Sequence, residues 1–196
     1  MMTQTFHKSF MAGVAISVGC MAYLSVENRI LGSLLFSVGL ITICYNDYYL
    51  FTGKVCSKMC SNGRKMATIL WGNLFATLFC GIAVRFVFPD LVQVAANVCN
   101  TKLHEGFSVF MRAFFCNIMI FFAVRRFGRD AASCVRIILC VMVFILCGME
   151  HSIANNFYFV LSMDLFTIRG FFYVVACICG NALGGIVVYL IDRSTV

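Results

Sequence analysis

Six long apolar runs, separated by short polar or charged stretches, set the pattern of this sequence. They lie at about 10–26, 31–51, 66–88, 107–124, 134–153 and 168–191. Each is close to the ~20 apolar residues that one helix needs to cross a bilayer. The first run has the position of a signal peptide but no small-x-small cleavage site, and further runs follow it, so it reads as a helix. Two runs are not uniform. The second carries Tyr45-Asn46-Asp47-Tyr48-Tyr49 ahead of Leu50-Phe51-Thr52-Gly53, and the fifth ends Gly148-Met149-Glu150-His151-Ser152. Polar groups at membrane depth predict interrupted helices there. Each interrupted run is the middle one of three, and such matching interruptions point to an inverted repeat with a site between its halves. Three spans per half is an odd number, so the halves must be oppositely oriented. The residues show no convincing repeat of their own, and this symmetry rests on position.

Composition narrows the class. Of 196 residues, 62% are hydrophobic and 12% charged, and the mean hydropathy is +0.94. A soluble domain has about 45–50% apolar and about 25% charged residues. A disordered chain, a nucleic-acid module and an ordinary soluble enzyme are excluded. Six helices use roughly 120 residues. The remainder suffices for loops and ends, and residues 1–196 read as a single transmembrane domain.

The net charge of +7 reports topology. With alternating spans, ten of the 15 basic residues fall on one side, among them Lys8, Lys54, Lys65, Arg125 and Arg129. Five fall on the other: Arg29, Arg85, Lys102, Arg112 and Arg169. The positive-inside bias then puts both termini in the cytoplasm of a cell (inner or plasma) membrane. Most of the twelve cysteines sit inside apolar runs as small apolar residues. Cys56 and Cys60 have too few ligands nearby for a metal site, and no metal or cofactor is expected.

The residues with chemistry are few. Glu150 and His151 are costly in a bilayer unless they face protein or water. An imidazole titrates near neutral pH and can pass a proton along a pathway, and this reading outweighs the alternative of a packing hydrogen bond at a bend. Lys102, just before the fourth run, reads on spacing alone as a solvated loop charge; at a channel mouth it would draw anions inward. Thr52-Gly53 is an ordinary span end or a loop folded into a pore. Asn117 is a lone mid-span amide of the kind that often bonds across helices. Phe36, Leu40 and Phe144 form apolar constrictions only if their helices face a pore.

Gly148-Met149-Glu150-His151-Ser152-Ile153-Ala154-Asn155 resembles the Gly-Phe-Glu-His-Ser-(Ile/Val)-Ala-Asn signature of the formate/nitrite transporters, a family of formate, nitrite and hydrosulfide channels. Matches in the same order are Lys8-Ser9-Phe10-Met11-Ala12-Gly13, Phe36-Ser37-Val38-Gly39-Leu40, Leu50-Phe51-Thr52-Gly53, Arg112-Ala113-Phe114-Phe115-Cys116-Asn117 and Gly180-Asn181-Ala182-Leu183-Gly184-Gly185. The resemblance implies an all-α, aquaporin-like protomer of six helices in a homopentamer with one pore per protomer. It implies a central histidine at His151 with Asn117 near it, a vestibule lysine at Lys102, and a pore loop with Thr52 below Leu50 and Phe51. It also implies constrictions at Phe36, Leu40 and Phe144. The chain departs from the family pattern at Tyr49, where an acid is usual, and at Lys54, where a small or polar residue is usual.

The expected function is a channel or transporter passing small monovalent weak-acid anions (formate, nitrite or hydrosulfide) together with a proton. A neutral-solute or water pore is the alternative. A membrane enzyme built on Glu150 and His151 would need further clustered ligands or a nucleophile, and the other two histidines, His7 and His104, lie near span ends.

Overall fold

A computed structural model describes residues 2–104, 106 and 108–194. Its helices are α1 (Met2–Leu24), α2 (Arg29–Tyr45), the single turn α3 (Phe51–Lys54), α4 (Gly63–Val87), α5 (Pro89–Leu103), α6 (Ser108–Val124), α7 (Ala131–Leu146), α8 (Ser152–Leu161) and α9 (Ile168–Arg193). The predicted start of the fourth run, Phe107, lies outside the described residues.

Local chemistry sets the helix ends. Asn28 caps α2 by accepting the N–H groups of Ile30 and Leu31, and Asp130 caps α7 by accepting that of Ser133 at 2.7 Å. Pro89 opens α5, where its missing N–H costs nothing. The apolar pattern predicts only a connection between spans at 89–106. That stretch holds instead a 15-residue helix with an acid, Asp90, in its first turn and a base, Lys102, in its last.

The packing repeats. Helix α1 lies along α2 and α4, and α6 lies along α7 and α9. Backbones approach closely at Gly72 and Gly180. A Cβ on Gly72 would sit 2.6 Å from the Cβ of Ser9, and one on Gly180 would run into the Phe110 carbonyl. Small residues of this kind let helices pack tightly in lipid.

Both α2 and α7 end in the same way. The Tyr48 N–H reaches back to the Ile43 carbonyl at 3.0 Å, and the Met149 N–H to the Phe144 carbonyl at 2.9 Å. The residue before each has a left-handed backbone: Asp47 at φ 51° and Gly148 at φ 67°. This is the Schellman ending, which satisfies the last helical carbonyls and turns the chain out of the helix axis. The chain then runs extended into α3 or α8.

The correspondence extends to single atoms. Asn73, in α4, accepts the Phe51 N–H at 2.7 Å and donates to the carbonyls of Ser9 at 2.7 Å and Tyr49 at 2.9 Å. Asn181, in α9, accepts the Ser152 N–H at 2.8 Å and donates to the carbonyls of Ala113 at 2.7 Å and Glu150 at 2.9 Å. The Tyr49 N–H donates to the Lys8 carbonyl, and the Glu150 N–H to the Arg112 carbonyl. The repeat that residue identities hide is therefore written in main-chain hydrogen bonds. One buried asparagine per half clamps an extended segment to its neighbours, supplying the partners that buried peptide groups require.

A set of polar side chains lies inside the apolar core, and large apolar side chains cover the outside. Asn73, Asn117, Glu150, His151, Asn155 and Asn181 are buried, while Trp71, Phe75, Phe79 and Phe86 on α4 and Phe171 and Phe172 on α9 are exposed. An apolar outer surface of this extent suits a hydrocarbon solvent. Among the described helices, α4 and α9 are each long and apolar enough to cross a membrane.

Candidate functional site

The extended segments bring the ends of α3 and α8 together. His151 is the N-cap of α8, with a β-region backbone, and its Nδ1 accepts the Ala154 N–H at 3.2 Å. Since Nδ1 spends its lone pair on that amide, the neutral ring carries its hydrogen on Nε2. Nε2 lies 3.0 Å from Thr52 Oγ1 and donates to it. Thr52 is fully buried in α3. Its hydroxyl hydrogen therefore remains available to an acceptor other than His151.

Asn117, in α6, donates to the Thr52 carbonyl at 3.0 Å and to Cys56 Sγ at 3.1 Å. Its Oδ1 is buried with no partner among the described residues. The family resemblance implies one site for His151, Thr52 and Asn117, and Thr52 contacts both of the others here.

Two cavities flank this group. The first, of about 270 Å³, is lined by Phe36, Lys102, Arg112, Phe144, Glu150 and His151, among others. The second, of about 540 Å³, is lined by Leu40, Asp47, Leu50, Lys54, Arg125 and Arg129, among others. Phe36 and Leu40 are one turn apart on α2, so the cavities open toward opposite ends of that helix. Phe36, Leu40, Leu50 and Phe144 are each no more than 3% exposed and fill the space between. The Phe36 and Phe144 rings meet edge to face at 6.0 Å, and Phe144 stacks on the His151 ring at the same distance. Phe51 lines neither cavity; it is buried, with its N–H taken by Asn73.

Lys102 is not a solvated loop charge. It sits on the last turn of α5, and its Nζ donates to both Glu150 oxygens, at 2.6 and 2.5 Å. Glu150 is 2% exposed and accepts a further bond from Asn155 Nδ2 at 2.7 Å. One ammonium, contacting both oxygens, and one amide thus satisfy a carboxylate that burial alone would make very costly.

Sequence reasoning missed the two clamps, Asn73 and Asn181. The signal was the Gly-Asn pair in the third and sixth runs, Gly72-Asn73 and Gly180-Asn181. It also missed Asn155, which orients Glu150, and Arg112, which lines the histidine-side cavity.

Apolar helices, two opposed cavities and a small buried polar centre between them define a membrane-embedded channel or transporter. Residues 1–191 match the family described as formate/nitrite transporter, and the chain belongs to that family. Its fold is similar to that of a solved structure titled "FNT family ion channel", at TM-score 0.85 and 23% identity over 98% of this chain and 90% of that one. It is also similar to a "Pentameric formate channel with formate bound", at TM-score 0.83 and 24% identity over 99% of this chain and 96% of that one. No curated protein sequence matches the chain. These matches do not favour the neutral-solute or water pore.

Proposed function

We propose that this chain forms a channel or transporter for small monovalent weak-acid anions of the formate, nitrite or hydrosulfide kind, which cross with a proton. The observation that carries this reading is the Thr52–His151 contact, buried between two cavities and walled by apolar rings. A bare anion cannot pass such rings, because burying an unpaired charge costs many kcal/mol. A weak acid has another route. Arg112 and the Lys102–Glu150 pair make the histidine-side cavity polar, and the Lys102 ammonium, its charge balanced by Glu150, offers the anion a hydrogen-bond donor rather than a net charge. Moving into drier surroundings disfavours the charged form of the substrate and raises its pKa. The acid then takes a proton from water and passes the rings neutral.

In this scheme His151 acts as a neutral hydrogen-bond donor and not as an imidazolium. Protonating Nδ1 would break its bond from the Ala154 N–H and place a charge in a buried site. Its Nε2–H holds the Thr52 hydroxyl so that the Thr52 hydrogen faces the passing acid. Asn117 fixes the Thr52 backbone. Phe36, Phe144, Leu40 and Leu50 keep water and intact ions out of the passage.

The charge asymmetry of the sequence supports cytoplasmic termini in a cell membrane. Six crossings follow if each extended segment completes a span. Helices α2 and α7, of 17 and 16 residues, fall short of a ~30 Å hydrocarbon core at ~1.5 Å per residue. Likeness to a pentameric formate channel supports a homopentamer with one pore per protomer. The deciding experiment is stopped-flow uptake into proteoliposomes of formate, nitrite, hydrosulfide, lactate and glycerol at two pH values. We expect uptake of the small anions that quickens as pH falls. Glycerol flux without any anion flux would overturn the proposal.

A further inference from the structure

The clamps equate Tyr49 with Glu150. Each donates its N–H to the corresponding carbonyl of the neighbouring helix, Lys8 or Arg112, and each gives its carbonyl to an asparagine, Asn73 or Asn181. The side chains differ completely. Glu150 neutralises Lys102. Tyr49 offers only a ring, and three ammonium groups gather round it. Lys54 Nζ lies 5.0 Å from the ring centroid, and Lys8 and Lys65 Nζ each lie 5.3 Å from it.

These lysines come from three elements: α1, the end of α3 and the first turns of α4. All three and Tyr49 are half-buried. None is paired with a carboxylate among the described residues. Of the acids on that side of the molecule, Asp47 pairs with Arg129 and Asp192 with Arg125. Cation–π attraction of about 1 kcal/mol per lysine holds the group together without cancelling its charge. No two of the ammoniums can be farther apart than about twice their distance from the ring, close to the ~8–10 Å over which salt screens charge. Lys54 also lines the 540 Å³ cavity, at the mouth opposite Lys102, while Lys65 lines a separate pocket with Arg64.

We propose that Lys8, Lys54 and Lys65 form, around the Tyr49 ring, a binding site for a small multiply charged oxoanion of the phosphate type. Three mobile ammoniums present rotatable donors to several oxygens at once, a chemistry that suits phosphate. A monovalent anion would leave most of the cluster's charge standing, whereas phosphate or pyrophosphate answers it. Such an anion cannot become neutral by taking one proton, so it stops at the Leu40 and Leu50 side chains. Bound there, it hinders the passage of monovalent acids from one side only. That last consequence rests on the transport function proposed above; the binding itself does not.

The test separates the two. Titrate inorganic phosphate and pyrophosphate calorimetrically into the protein in phosphatidylcholine nanodiscs, with no transport involved. We expect pyrophosphate to bind more tightly than phosphate, and chloride to bind with no comparable heat. Lys54→Gln with Lys65→Gln should weaken pyrophosphate about tenfold or more. Tyr49→Glu, which supplies the carboxylate present at the equivalent place in the other half, should abolish binding with all lysines retained, while Tyr49→Phe should keep it. Adding phosphatidylglycerol distinguishes the source of the ligand. Binding that survives identifies a soluble oxoanion, and binding that is competed away identifies the lipid headgroup phosphate at the same site. Absence of heat with the intact protein, or equal affinity in the Tyr49→Glu protein, would overturn the site whatever the flux measurements show. If binding is found, pyrophosphate on one side of proteoliposomes should slow formate uptake and on the other side should not.

Discussion

Thr52 Oγ1 and His151 Nε2 lie 3.0 Å apart, joining the start of α3 to the cap of α8 across the gap between the two halves. Both residues sit at the first turn of a helix that follows a broken one. The contact is therefore a direct product of the two Schellman endings, which turn α2 and α7 out of line before the short helices begin.

The roles of the His151 ring can be separated by substitution. Asparagine at this place can still cap α8, so His151→Asn should keep helix stability while losing the reach to Thr52. His151→Phe should lose the cap as well, at a further cost of about 1 kcal/mol. Both should slow formate uptake by roughly tenfold or more, since a lost hydrogen bond of ~1–1.5 kcal/mol in the barrier is about a factor of ten. Proteoliposome flux and thermal unfolding of the same preparations give both numbers. Undiminished flux in either variant would remove the histidine from the mechanism.

The Lys102–Glu150 pair makes a sharper stability prediction. Lys102→Ala leaves a 2%-exposed carboxylate without its cation. The expected loss is about 3–5 kcal/mol. Lys102→Met combined with Glu150→Gln should recover most of it, because no buried charge remains. Chemical or thermal denaturation monitored through Trp71 fluorescence measures the difference. A single variant as stable as the double would show that the carboxylate finds another partner.

The two clamps should respond alike. Asn181→Ala strips partners from the Ser152 N–H and the carbonyls of Ala113 and Glu150, and Asn73→Ala does the same to Phe51, Ser9 and Tyr49. Each buried group left unmatched costs about 1–3 kcal/mol, so both variants should be among the least stable single substitutions. Aspartate accepts the N–H but lacks the donors, and it should rescue little. Unfolding midpoints of the four variants test the equivalence, which a mild effect at one asparagine would break.

Asp130 sets a pH dependence outside the membrane. Its carboxylate is held below the ordinary value of 3.8, chiefly by the Ser133 N–H and then by the Ser133 hydroxyl. A depressed carboxylate contributes its stability above the unfolded value and loses it as pH falls through the folded one. The start of α7 should therefore weaken only in acid, below about pH 4. Asp130→Asn keeps an acceptor and should remove that component from a plot of unfolding midpoint against pH. Identical acid profiles would show that the cap does not titrate with folding.

Much of this arrangement was legible in the sequence. The polar residues in the second and fifth apolar runs mark the places where α2 and α7 end, because unpaired polar groups in an apolar run need a local reason. His151, Thr52 and Asn117 could be grouped from the family signature, but not Thr52's dependence on the ring tautomer, which needs the Ala154 N–H. Helix α5 was hidden because the search for bilayer-length apolar runs passes over a short amphipathic helix with Gln93, Asn97 and Asn100 along it. Lys102 consequently looked like a loop charge. The repeat was invisible for a different reason. Its bonds are to main-chain atoms, which every residue type carries, so only the two asparagines had to stay the same.

That economy has a design consequence. A scaffold that grips its crossing segments by the peptide backbone leaves the side chains there free to change without disturbing the grip. Here one clamped segment carries an acid, Glu150, and the other an aromatic ring, Tyr49, on what is otherwise a single blueprint used twice. Each entrance can accordingly be re-engineered alone, giving a conduit whose two faces answer to different solutes.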